Sequence, residues 1–222
     1  NALLGDTYFE PEKKVIQEER RLRTDDNPSS ALSEVASAVA YTVHPYRRPV
    51  IGWMDDIQNL SRQDLAEFYK LYYAPNNAYI VVTGDFSTEE ILAKIKSAFE
   101  KIPRGAEPPK VRAEEPPQRG ERRVILKKEA ELPFILTYYH APNLKSPDNY
   151  ALDLLSVVLA GGRSSRLYHD LVYQKRIALS IDADYSGVSI DPTGFSVTAQ
   201  LMPGKEPAEG ERQIDGGREK VK

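Results

Sequence analysis

Two carboxylates pose the first chemical question. Over Glu12 to Arg23, EKKVIQEERRLR, the spacing predicts a helix, and at 3.6 residues per turn Glu12, Val15, Glu19 and Leu22 fall on one stripe. An ionised acid at Glu19, flanked on that stripe by Val15 and Leu22, is costly to bury unless a cation or strong donors meet it. A metal ion is one such partner and an arginine or a helix terminus is another. A third arrangement puts both acids on a solvated helix with Val15 and Ile16 at its edge. Periodicity alone favours this third arrangement.

Other candidate groups carry less. His44, His140 and His169 are the only histidines, no two stand at helical ligand spacing, and each sits in aromatic or proline-containing sequence, which points to structural roles. Gly161-Gly162-Arg163-Ser164-Ser165 has phosphate-cradling residue types, but it follows a helical pattern and lacks both Gly-x-Gly-x-x-Gly spacing and a Gly-Lys-Ser end. A tight helix-to-helix turn is the expectation there. No Gly-x-Ser-x-Gly occurs to suggest a nucleophilic serine. With no cysteine there is no disulfide framework, and any zinc would be held by histidine and carboxylate.

The elements that must position these groups follow from periodicity and caps. Pro11 suits a first helical turn, and Thr24-Asp25-Asp26-Asn27-Pro28 stops that helix. Leu32, Val35, Ala36, Val39 and Val43 mark a second helix capped by Ser29 or Ser30. After a loop from Pro45 to Gly52, Ser61-Arg62-Gln63-Asp64 resembles a capping box, with Leu65, Phe68, Tyr69 and Tyr72 on the apolar face behind it. AYIVVTGDF, from Ala78, reads as a buried strand, and Ser87-Thr88-Glu89-Glu90 as a second capping box before Ile91, Leu92, Ile95, Phe99 and Ile102.

Five prolines among charges between Pro103 and Gly120 predict a linker and a domain boundary. Beyond it RRVILKK and PFILTYYHAP read as strands, followed by a helix from Asn149 to Ala160 with Leu152, Leu155, Val158 and Leu159 inward. Another helix, Ser164 to Gln174, turns Leu167 and Leu171 inward, and ALSIDADYS and FSVTAQLM read as two further strands. From Pro203 the chain is polar, compatible with a helix or a mobile tail.

At 222 residues, with 28% charged residues and a formal charge of −3, the composition gives no reason to expect nucleic acid or an anionic membrane as partner. No apolar run reaches the ~20 residues of a membrane span, and NALLGDTYFEPEKK does not read as an export signal.

Three stretches in order, FEPEKKVIQEERRLR, HPYRRPVIGWMDDIQNLSRQDLAEFYKLYYAPNNAYIVVTGDF and GGRSSRLYHDLVYQKRIALSIDADYS, give the chain a resemblance to the pitrilysin and insulinase family of zinc metallopeptidases, which includes the mitochondrial processing peptidase. The resemblance implies an α+β fold of two related domains, each a sheet covered by helices and each incomplete here. Residues 1–102 would be the C-terminal part of the first, zinc-bearing domain, 103–120 the linker, and 121–222 the N-terminal part of the second. It places Glu19 at the carboxylate zinc ligand and Glu12 at the acid that supports it.

The family's inverted His-x-x-Glu-His motif, which supplies the imidazoles and the general base, does not occur in the chain. The expectation is therefore a fragment, inactive alone and without stably bound zinc, of a zinc endopeptidase acting on peptides or unfolded segments; the alternative is a non-catalytic homologue serving as a structural or peptide-binding subunit. Where substrate-gripping members carry an Arg and a Tyr seven apart, this chain has Val172 and Leu179, so the implied partner is a homologous subunit bearing that pair, or a second copy. The resemblance also implies a bacterial periplasmic or cytoplasmic setting.

Overall fold

Caps and prolines divide the helices of the computed structural model, which describes residues 5–219. Helix α1 is Asp6–Arg20, with Pro11 inside it, and the next turn, Arg21–Asp25, is π-helical. The Asn27 side chain accepts from the backbone N–H of Ser29 and Ser30 and starts α2, Pro28–Ala40, so the cap is Asn27 and not the serines. A short α3, Met54–Asn59, was not legible as a helix. Helix α4, Arg62–Tyr72, has the expected reciprocal box: the Asp64 N–H donates to Ser61 Oγ and the Ser61 N–H to Asp64 Oδ2. Helix α5 is Thr88–Phe99, and there Ser87 makes no side-chain cap bond.

The described chain divides into two compact units, one formed by residues up to Arg20 with Ile51–Ala113, the other by Arg21–Val50 with residues from Glu114 on. In the first unit helices α1 and α3 pack together, and the buried apolar side chains are Phe9, Ile57 and Ala74. The segment expected as a buried strand, AYIVVTGDF, pairs with nothing among the described residues: Tyr79 is 90% and Val81 74% exposed. A strand exists only through its ladder, and no strand among the described residues of this unit supplies one.

The second unit holds the sheet. Strands β1 (Phe134–Ala141), β2 (Ala178–Tyr185) and β3 (Thr193–Leu201) are antiparallel in the order β1-β3-β2. On central β3, Phe195, Val197, Ala199 and Leu201 alternate into the core. A register shift between Ala178 and Ser180 resets the alternation of β2, which turns Leu179 outward at 51% exposure. Helix α6, Asp148–Ala160, buries Leu159 and lays Leu152 and Leu155 on the sheet core. The segment expected as a helix up to Gln174 is π-helical over Tyr168–Gln174 and sends Leu171 inward. Helix α7, Pro207–Glu219, resolves the tail: Ile214 is buried, and Gly210 lets the helix approach Ile135 and Leu201 so closely that a Cβ would lie 2.6 Å from Ile135 Cδ1.

RRVILKK, expected as a strand, makes no ladder. Two arginines hold it elsewhere, Arg122 by donating to Val39 O and Ala40 O at the end of α2, Arg123 by pairing with Glu211 on α7 at 2.8 Å. No helix among the described residues is long and apolar enough to cross a membrane.

Candidate functional site

Helix α1 carries both acids, and its packed face lies one step around from the stripe that the spacing singled out. Phe9, Lys13, Ile16 and Arg20 form that face, with Phe9 and Arg20 buried. Lys13 Nζ sits 5.3 Å from the centre of the Phe9 ring and donates to Leu60 O at 3.3 Å. Arg20 Nη1 donates to Gly52 O at 2.7 Å, and its guanidinium lies 5.9 Å from the Trp53 ring. The adjacent Glu19 is thus carried on a turn anchored by Arg20. Sequence reasoning missed Arg20; the signal was the Gly52-Trp53 pair, a carbonyl and an aromatic face that an arginine can engage together.

Val15 and Leu22 are 57% and 71% exposed, so the proposed apolar flanks of Glu19 point to solvent. For Leu22 the cause is local: it falls in the π-helical turn, whose i→i+5 bonding breaks the 100° progression that defined the stripe. Glu12 is exposed and Glu19 half-buried. Seven residues of α-helix separate them by about 10 Å along the axis, too far for both carboxylates to bind one ion directly.

The described residues do not assemble the donors for a complete zinc site. Among the described residues no group of three or more His, Asp or Glu side chains is placed to hold a metal. Each histidine has other work. His44, buried, takes the Tyr46 N–H on Nδ1, which leaves the Nε2 proton facing Asp191 Oδ2 at 3.3 Å. His140 Nε2 lies 3.0 Å from Ala40 O, and His169 stacks on Tyr173. Among the described residues the donor set around Glu19 therefore does not fit zinc, since no group of three ligating side chains includes it.

Around His44 the second unit builds a polar cluster that spacing could not reveal. Tyr41 and Tyr138 share a hydrogen bond of 2.6 Å between hydroxyls, and burial, then this bond, pushes the Tyr138 hydroxyl well above its usual range. Glu115, from the proline-rich stretch, accepts the successive backbone N–H groups of Thr42, Val43 and His44 at 2.6, 3.0 and 3.1 Å. Burial works to raise its pKa, but the three donors outweigh it and hold the carboxyl at about 2. The His44 and Asp191 pair is no catalytic dyad, because Nδ1 has already spent its lone pair on the backbone.

Val172 and Leu179, which the resemblance sets against an Arg and a Tyr, differ in setting: Val172 packs against the core and Leu179 is exposed on β2.

The model of the Peptidase M16 inactive domain matches residues 59–214. The chain belongs to the M16 peptidase family. It is 39% identical over 178 residues to the zinc protease PqqE of Helicobacter pylori, covering 79% of this chain and 40% of that protein. An uncharacterized zinc protease of Mycobacterium leprae is 30% identical over 206 residues, with 88% and 44% covered. In three dimensions the chain is similar to the crystal structure of a protease from Helicobacter pylori, at a TM-score of 0.91 and 34% identity, over 99% of this chain and 53% of that one. This M16 chain thus spans less than half the length of the curated relatives it matches. Its relatives bear the name zinc protease, in keeping with a metallopeptidase family.

Proposed function

We propose that this M16 chain is part of a zinc-dependent endopeptidase for peptides or unfolded segments, in which Glu19 supplies one carboxylate to a zinc whose imidazoles come from outside residues 1–222. Family membership carries the reading. Supporting it, Glu19 is half-buried on the last turn of α1, beside the anchored Arg20, where a ligand would be held in place. Glu12, about two turns back, supports the site without touching the ion. When bound, the metal would polarise a peptide carbonyl and lower the pKa of a water. Residues of this chain hold and orient Glu19; none of them is the base.

In this reading residues 1–102 belong to the zinc-bearing domain, 103–120 are the linker, and 121–222 begin the second domain. The grip on substrate comes from a homologous subunit bearing Arg and Tyr where Val172 and Leu179 stand here.

A second reading has one observation in its favour: the matching model describes an inactive domain. The protein would then bind chains without cutting them. Metal analysis separates the two. The 222-residue chain is expected to retain no stoichiometric zinc after dialysis, and one tightly held equivalent would refute the assignment of the missing ligands. Joined to the upstream part of its relative from Helicobacter pylori, it is expected to take up one zinc and cleave a quenched peptide, with both lost in Glu19→Gln. Unchanged zinc content in that variant removes Glu19 as a ligand.

A further inference from the structure

Glu115 is an anion bound inside its own chain. Its carboxylate meets the successive N–H groups of Thr42, Val43 and His44, and Arg122 Nη1 lies 3.9 Å from its Oε1. Converging main-chain donors beside a guanidinium recognise a small carboxylate, and nothing in that donor set reads the rest of the side chain that carries it.

The receiving loop is shaped by bonds that do not pass through residue 115. Arg47 Nη1 donates to Thr42 O and Arg122 Nη2 to Thr42 Oγ1, both at 2.8 Å, while Arg122 Nη1 is fixed on Val39 O and Ala40 O. At the other end His44 is buried, with the Tyr46 N–H on its Nδ1 and Asp191 facing its Nε2. Removing the Glu115 carboxylate should therefore leave a preorganised set of donors in place and unmet. The segment that delivers Glu115 is, by contrast, lightly attached. Glu114 and residues 116–120 are exposed, and among the described residues no backbone-to-backbone hydrogen bond joins 114–121 to another element. The next firm ties are those of Arg122 and Arg123.

We propose that residues 42–44 with Arg122 form an exchangeable carboxylate-binding site, in which Glu115 is the resident occupant and latches residues 114–121 to the end of α2. A carboxylate of another chain, at its C-terminus or on an acidic side chain, takes the same place when the latch is off. The proposal requires neither zinc nor hydrolysis, so it and the peptidase reading can fail independently.

Glu115→Ala tests it by rescue in the 222-residue chain. At neutral pH, about 100 mM sodium acetate should raise the variant's folding equilibrium constant in urea about tenfold over the same concentration of sodium chloride, as a Kd of about 10 mM requires. The amide resonances of Thr42, Val43 and His44 should shift together and saturate, and wild type, whose site is filled, should show neither effect. If the variant is unfolded in chloride, its folding on addition of acetate is the same readout. Trypsin reads the latch separately: cleavage after Arg119 should be about fivefold or more faster in Glu115→Ala than in wild type, and acetate, which fills the site without holding the segment, should not restore the wild-type rate. Acetyl-Ala-Ala with a free C-terminus and acetyl-Glu-amide carry the two kinds of carboxylate; at least one should bind the variant as tightly as acetate, and the tighter names the source. The proposal is overturned if acetate leaves the variant's stability unchanged, if it stabilises wild type equally, if trypsin cuts both chains after Arg119 at one rate, or if neither peptide binds.

Discussion

The two units of this chain use similar ingredients to opposite effect. Both have amphipathic helices and both have β-branched runs, yet the second unit buries a continuous core of sheet and helix, with Leu159, Leu167, Leu171 and Leu201 nearly inaccessible, while α4 and α5 of the first unit bury no residue at all. The difference lies in the strands. FSVTAQL finds a neighbour on each side and becomes β3; AYIVVTGDF finds none and stays exposed. A helix satisfies its own backbone hydrogen bonds, so a helical pattern needs no partner strand to form. A strand pattern specifies only a demand for partners.

Core truncation should open the widest gap between the units. Leu201→Ala and Leu159→Ala are each expected to cost about 2–5 kcal/mol in urea unfolding, with loss of exchange protection across β1, β2 and β3. Leu92→Ala on α5 of the first unit, where Leu92 is 47% exposed, should cost under about 1 kcal/mol. Equal losses would break the contrast. A backbone collision comes next: a Cβ at Gly161 would lie 2.6 Å from Val157 O and 2.7 Å from Val157 Cα, so Gly161→Ala should cost about 1–3 kcal/mol by the same measurement.

Glu115 gives the second unit a pH dependence. Its folded pKa of about 2 lies below the ordinary carboxylate value, so its contribution is complete above about pH 4.5 and fades as the pH falls toward 2. Glu115→Gln should cost about 1–2 kcal/mol at pH 7 and flatten the stability profile between pH 4.5 and 2. A variant that keeps the wild-type acid dependence would show that the three N–H bonds are not its source. In the first unit, Ser61→Ala removes the cap of α4 and should cost about 1 kcal/mol, read as lost helical signal.

How much was legible follows the same division. Helices α2, α4, α5 and α6 could be read because apolar spacing is a local signal, joined only in α4 by the expected capping box. ALSIDADYS and FSVTAQLM were readable as strands, and they hold as strands because each finds a ladder within the chain. The π-helical turn after Arg20 carries no compositional mark, and it displaced Leu22 from the expected stripe. Arg20 and Glu115 eluded the sequence for a different reason: their partners, the Gly52 carbonyl and the N–H groups of residues 42–44, belong to the backbone, which every residue shares. At the candidate site the two acids and their spacing could be read, but the face on which α1 packs could not, because Lys13 and Arg20 belong to that face and set their cationic heads over the Phe9 and Trp53 rings.

The smallest predicted effect tests the comparison most directly. Val81 sits in the middle of the first unit's most strand-like run and is 74% exposed, whereas Val197 occupies a similar run on β3 and is 2% exposed. A lysine at the first site leaves its ammonium in water, so Val81→Lys should change the stability of the 222-residue chain by no more than about 0.5 kcal/mol. Val197→Lys, by contrast, would bury a charge and should unfold the sheet. A loss above about 1 kcal/mol for Val81→Lys would mean that the run is buried in solution. The same substitution made in a longer M16 chain asks whether additional sequence supplies the missing strands: if it does, the lysine must be desolvated there, and the cost should rise to several kcal/mol. A cost that stays near zero in both settings would show that a β-branched apolar run can remain unpaired in this fold.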